Sequence, residues 1–188
     1  MRNMFCTVVT TILSLGLVSN SSAETQLYRV TINNMWTTAT HGQLPFEAHF
    51  SWFGGATHKA QADFWSEGEL ASAGMVRVAE RGSTVTLREE IEAERISGNA
   101  DIDINENHWF CPAEITADNC GPNTFEMSVD SEFPLVTLVS MLGPSPDWFV
   151  GVDSLPLYQN GQFINRQSTC IPTTVAPAMR TSMIWVAQ

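Results

Sequence analysis

Residues 133–158 read FPLVTLVSMLGPSPDWFVGVDSLPLY, two apolar runs joined by a stiff knot. Leu135 to Leu142 is apolar and rich in β-branched residues, the pattern of a strand buried on both faces. Trp148 to Val152 is the return run. Between them Pro144 and Pro146 each fix φ and hold the preceding residue in extended geometry. The connection is therefore rigid, and it holds Asp147 at a loop tip. A carboxylate on a rigid loop is a common device for binding an ion or a partner. The same residue can also serve only its own loop, by accepting local backbone N–H bonds.

The rest of the chain limits what such a hairpin can belong to. At 188 residues with 44% apolar content, the length and composition predict one globular domain. Nine basic residues stand against twenty acidic ones, a formal charge of −11. That balance argues against nucleic acid and against an anionic membrane surface, and it permits cations and basic protein surfaces. Arg2, the apolar stretch from Met4 to Val18, and Ser21-Ser22-Ala23 predict a secretory signal peptide over residues 1–23. Residues 24–188 then form the mature domain, secreted or periplasmic, with no later segment long enough to span a bilayer.

An exported chain brings its cysteines into play. Cys111, Cys120 and Cys170 remain in the mature chain. Cys111 and Cys120 are close, with Pro112 and Gly121-Pro122 forming turns around them, and they are the expected disulfide. Cys170 is then left buried and reduced, or it replaces one of the two; sequence does not choose. The absence of a CxxC pair removes support for a thiol redox motif or a zinc knuckle.

In chain order, residues 26–32 (QLYRVTI) alternate as a first strand. Residues 46–53 (FEAHFSWF) read as extended, and Gly54-Gly55 should break them, with loop or a short helix to Trp65. Residues 68–82 have helical spacing at Leu70, Met75, Val78 and Ala79, with Gly82 as the stop. Residues 87–96 (LREEIEAERI) predict a second short helix with a solvated glutamate face. Residues 97–122 are acidic and read as a long aperiodic surface excursion tied by the Cys111–Cys120 pair. Asp101, Asp103 and Asn105 alternate oxygen ligands there, but the glycine and closing glutamate of an EF-hand are missing. Residues 124–129, 162–164 and 183–186 predict further strands. Strands outnumber helices and turn-rich loops join them, which predicts a mainly β fold: an antiparallel β-sandwich with one or two short inserted helices.

No catalytic constellation stands out. There is no GxSxG elbow, and His41, His49 and His58 are spaced too loosely for a zinc helix. A zinc site built across strands or an unrecognised hydrolase site is a minor alternative. Six tryptophans are many for this length. Most are expected in the core, and Trp109, in the polar excursion, is the candidate exposed contact.

The run PSPDWFVGVDSL, residues 144–155, resembles the hallmark of the spondin amino-terminal domain family, of the F-spondin and mindin type. Tyr28-Arg29-Val30, Trp36, Pro45-Phe46, His49-Phe50-Ser51, Gly55-Ala56-Thr57-His58, Trp65, Ala79-Glu80-Arg81-Gly82 and the LREEIEA segment fit in family order. The resemblance implies a β-sandwich like those of calcium-dependent membrane-binding domains. It also implies a role in matrix and adhesion proteins without catalysis. It implies a metal site, with Asp147 as one ligand and two further aspartates in a later DAGTD segment. Here Thr174 and Ala178 stand where those aspartates would be, and one carboxylate is too few for a hard cation. Asp153 or the acidic excursion could substitute.

The sequence therefore predicts a secreted, non-catalytic domain that binds an extracellular protein or glycan surface, in an adhesion or matrix-type role. Calcium, held through the Asp147 loop, is the alternative mode of that binding.

Overall fold

The structure, a computed structural model, describes residues 23–168, Cys170, Thr173–Thr174 and Trp185–Ala187. Nearly all of the expected signal peptide, and Ala178, lie outside them. In chain order the elements are β1 (Thr25–Thr31), α1 (Thr38–His41), β2 (His49–Phe50), β3 (Gly54–His58), α2 (Ala73–Arg81), α3 (Val85–Ile96), β4 (Ala100–Asn105), β5 (Thr124–Asp130), β6 (Leu135–Gly143), β7 (Trp148–Pro156), β8 (Tyr158–Gln159), β9 (Gln162–Phe163), β10 (Gln167–Ser168), β11 (Thr173–Thr174) and β12 (Trp185–Ala187). Among the described residues one sheet runs β10-β12-β1-β5 and the larger one β11-β7-β6-β3-β4, with β2 also on β6. Every pair of these strands among the described residues is antiparallel.

The burial of β6 on both faces explains the layers. Val136, Leu138 and Leu142 join Tyr28, Val30, Met127 and Val129 of β1 and β5 in one core between the sheets. Val139, on the opposite face, joins Met75, Val78, Leu87 and Ile91 of the two helices. The helices thus roof the outer face of the larger sheet, and β6 lies in the middle of a β–β–α stack. Alternation sends successive side chains to opposite faces, so a strand covered on both sides must be apolar at nearly every position, as residues 135–142 are.

The helices are fixed by their ends. Ser72 caps α2 through the Met75 N–H, and Gly82 stops it in the left-handed region at φ 63°. Gly74 lets α3 approach so closely that a Cβ there would meet the Leu87 backbone. Glu90 of α3 accepts from the Gly74 N–H and the Ser72 hydroxyl, at 2.8 and 2.7 Å. A carboxylate thus closes the positive end of α2. The helix starts at Ala73, later than the spacing predicts, and Leu70 is left 99% exposed.

Two expectations are corrected. Gly54-Gly55 opens β3, wholly buried between β4 and β6, and does not break the chain. At Gly55 a Cβ would collide with the Thr137 carbonyl, so glycine is there for close approach. Residues 100–105 are strand β4, not part of a surface excursion. Arg88 of α3 neutralises Asp103 at 2.6 Å, which lets an acidic alternation sit on a sheet edge.

Candidate binding site

The Pro-Ser-Pro-Asp knot folds as the sequence requires. Residues 144–147 join β6 to β7, and the Ser145 hydroxyl accepts from the Trp148 N–H at 3.1 Å. Asp147 is half-buried there. β11 pairs with β7 so that Thr174 stands opposite Trp148. The position expected from the family for a ligand aspartate therefore does lie beside Asp147. The substitutes do not reach it. Asp153 is six residues along β7, roughly 20 Å away by strand rise, and takes hydrogen bonds from Ser66 and Ser154. Asp101 and Asp103 lie on β4, separated from β7 by β6 and β3. Among the described residues no three His, Cys, Asp or Glu side chains converge, and a single carboxylate does not fit a calcium site.

Beside this loop lies a more complete arrangement. Gly143, at the end of β6, is covered by the His49 ring, and its register partner is His49 itself. The other face of that imidazole stacks on Trp109, with centroids 3.7 Å apart and planes 10° from parallel. The backbone holds both partners. Phe50 and Phe110 exchange N–H···O bonds of 2.9 and 3.0 Å. The Trp109 N–H donates to the Asn119 carbonyl, and the Trp109 carbonyl accepts from the Gly121 N–H, which bonds Trp109 to the returning segment. The Cys111–Cys120 disulfide, with Cα atoms 5.7 Å apart, ties that segment. Cys170 is a buried free thiol, and burial pushes its pKa well up.

The chain then bends between β2 and β3. The Ser51 hydroxyl accepts from the Met141 N–H at 2.9 Å in place of a ladder bond, and the Ser140 hydroxyl donates to the Ser51 carbonyl. The turn from α2 to α3 settles on this bend, and a Cβ on Gly82 would meet Ser51. A groove of about 370 Å³ opens between them. Trp52 and Met141 wall one side, Arg81, Ser83 and Val85 the other, and the His49–Trp109 stack closes one end. Trp52 is 41% exposed. Trp109 is only half-buried against His49, so it is an edge of this groove and not the free contact that its polar neighbourhood suggested.

The electrostatics of the groove differ from those of the chain. Among the described residues no acidic side chain lines it, in a protein of charge −11. Among the described residues the Arg81 guanidinium has no carboxylate partner. Thr84 spends its hydroxyl on Asn105 at 2.7 Å, so α3 begins without a side-chain cap. Sequence reasoning found His49 and Trp109 as single residues but not Trp52, Arg81 or Ser83. The five come from three separate segments, and no sequence spacing links those segments.

Two of the remaining histidines are structural, and His41 is exposed at the end of α1. His58 is fully buried; Nδ1 lies 2.9 Å from the Lys59 carbonyl and Nε2 2.8 Å from the Thr137 hydroxyl. Burial lowers its pKa, only partly offset by the Lys59 carbonyl and the nearby carboxylates of Asp153 and Asp63. His108 bonds the Pro122 carbonyl at 3.0 Å.

The described residues thus form a two-sheet antiparallel sandwich with a helical roof and an open groove beside the Asp147 loop. The Spondin_N family model matches residues 26–173, and the chain belongs to that family. It is 34% identical to Spondin-2 of Rattus norvegicus over 140 residues, 72% of this chain and 41% of that protein. It is 35% identical to Spondin-2 of Homo sapiens over 134 residues, 69% of this chain and 39% of that protein. Spondin-1 of Gallus gallus is 33% identical over 132 residues, 69% of this chain and 16% of that protein. The chain thus spans well under half the length of these relatives.

Proposed function

We propose that this protein is a secreted, non-catalytic binding domain that attaches to an extracellular protein or glycan surface, in an adhesion or matrix-type role. Membership of the spondin family over residues 26–173 carries this reading. The signal-peptide pattern of residues 1–23 agrees with export, and no helix among the described residues is long and apolar enough to cross a membrane. The groove beside the Asp147 loop supplies an open contact surface of the kind such a role needs. The test is retention of the purified chain on an immobilised native extracellular-matrix preparation. Saturable retention supports the reading. Absence of retention, or turnover in a panel of ester, peptide and glycoside substrates, overturns it.

A calcium-dependent form of the same binding is the second reading, and its support is Asp147 alone, since the register sets Thr174, not an aspartate, beside that loop. Calorimetric titration with calcium, on the wild type and Asp147→Asn, decides it. Heat in the wild type that disappears in the variant supports the ion, and no heat in the wild type removes it.

A further inference from the structure

We propose that the groove between the β2–β3 bend and the α2–α3 turn is a site for an acidic saccharide, a sugar unit bearing a carboxylate or sulfate. This rests on the surface-binding reading above and names the chemistry of its ligand. Three observations combine. The groove, at about 370 Å³, is within the range of small-molecule sites, roughly 300–1,000 Å³. Its side chains offer donors and no anion. Arg81 is exposed without an ion-pair partner, and the Ser83 hydroxyl makes no hydrogen bond among the described residues. Arg81 can engage a carboxylate or sulfate through two parallel N–H groups. Aromatic area lies beside those donors, in Trp52 and in the His49–Trp109 stack. An indole offers a flat apolar face to the C–H side of a sugar ring and an N–H at its rim.

Charge decides between classes of ligand. With twenty acidic residues against nine basic, most of the surface repels an anion. A carboxylate-free groove holding an unpaired arginine is the exception, and its field selects an anion over a neutral or cationic ligand. A protein segment could use the apolar walls, but a partner chosen by this chain's overall charge would be basic, and Arg81 would oppose it. The saccharide satisfies both the aromatic walls and the cation.

The experiment is a tryptophan-fluorescence titration of the full chain with three oligosaccharide probes of similar length. One is a heparin tetrasaccharide, one an oligogalacturonate, and one neutral maltotetraose. Saturable changes with one or both acidic probes are expected, weakening with added salt, with maltotetraose at least roughly tenfold weaker. Arg81→Gln should lose roughly tenfold in affinity, and Trp52→Ala a comparable amount, at unchanged melting temperature. Binding by heparin alone identifies sulfate as the anion, and binding by oligogalacturonate as well admits carboxylate; both support the site. Equal binding of maltotetraose, or acidic binding unaltered in Arg81→Gln and Trp52→Ala, overturns it. So does retention on matrix with no saccharide titration, which leaves the surface-binding reading standing and removes this one. If matrix retention survives glycan stripping and is lost in Trp52→Ala, the groove holds a protein segment and the saccharide assignment fails.

Discussion

The Thr137 hydroxyl lies 2.8 Å from Nε2 of His58, in the fully buried centre of the larger sheet. The same oxygen accepts the Ser154 N–H at 2.9 Å, where the β6–β7 register shifts. One hydroxyl therefore repairs an irregular ladder and holds a neutral imidazole. With Nδ1–H donating to the Lys59 carbonyl, the neutral ring accepts the threonine proton at Nε2, and burial disfavours adding a second proton to the ring.

A pH dependence of stability follows. The folded pKa of His58 is lowered, chiefly by burial. The unfolded chain, with its histidine near about 6.5, then takes up protons that the folded chain refuses. The contribution is intact above that value and is lost as pH falls from it toward the lowered folded pKa. Urea midpoints measured from about pH 7.5 down to 5.5 should decline, with a slope of at most about 1.4 kcal/mol per pH unit from this group. His58→Gln should flatten that part of the profile; an unchanged slope in the variant would refute the assignment.

Thr137→Val is nearly isosteric and should still be costly. It leaves the buried His58 Nε2 and the half-buried Ser154 N–H without this partner, a loss of about 1–3 kcal/mol. Chemical denaturation checks this, and a cost below about 0.5 kcal/mol, within the range of ordinary surface changes, would show that the network is not needed.

Glu90→Ala should loosen the helical roof without touching the sheets. It removes the acceptor for Gly74 N–H and Ser72 Oγ at the start of α2. The expected loss is about 1–2 kcal/mol. Amide exchange should rise first in residues 73–76, and a uniform change over the whole chain would contradict the local role.

Removing the Cys111–Cys120 bond as the double serine variant should cost about 2–3 kcal/mol, from the entropy of a short closed loop. Asn119, inside that loop, accepts from the Trp109 N–H, so near-ultraviolet circular dichroism should report a loosened Trp109. An undisturbed spectrum together with unchanged stability would count against this account.

The alternation, the apolar run of residues 135–142, the helix stop at Gly82 and the Pro-Ser-Pro-Asp knot are local patterns. Each was legible because steric and capping rules act within a few residues. The misreadings share one cause. Gly54-Gly55 looks like a break, because nothing local shows that the Thr137 backbone will press against it. DIDIN looks like acidic loop, because Arg88, on another element, supplies the neutralising charge.

By its sequence alone this chain determined its hairpin, the existence of its two longer helices and its family, since those are written in spacing and in contiguous motifs, whereas the choice of Cys111 and Cys120 over Cys170 came from the structure. Only the tertiary structure decided the candidate site. Trp52, Arg81 and Trp109 become neighbours when the β2–β3 bend, the α2–α3 turn and the disulfide-tied segment meet above Met141. The absence of a carboxylate from that meeting point, in an acidic protein, is a property of packing and not of composition.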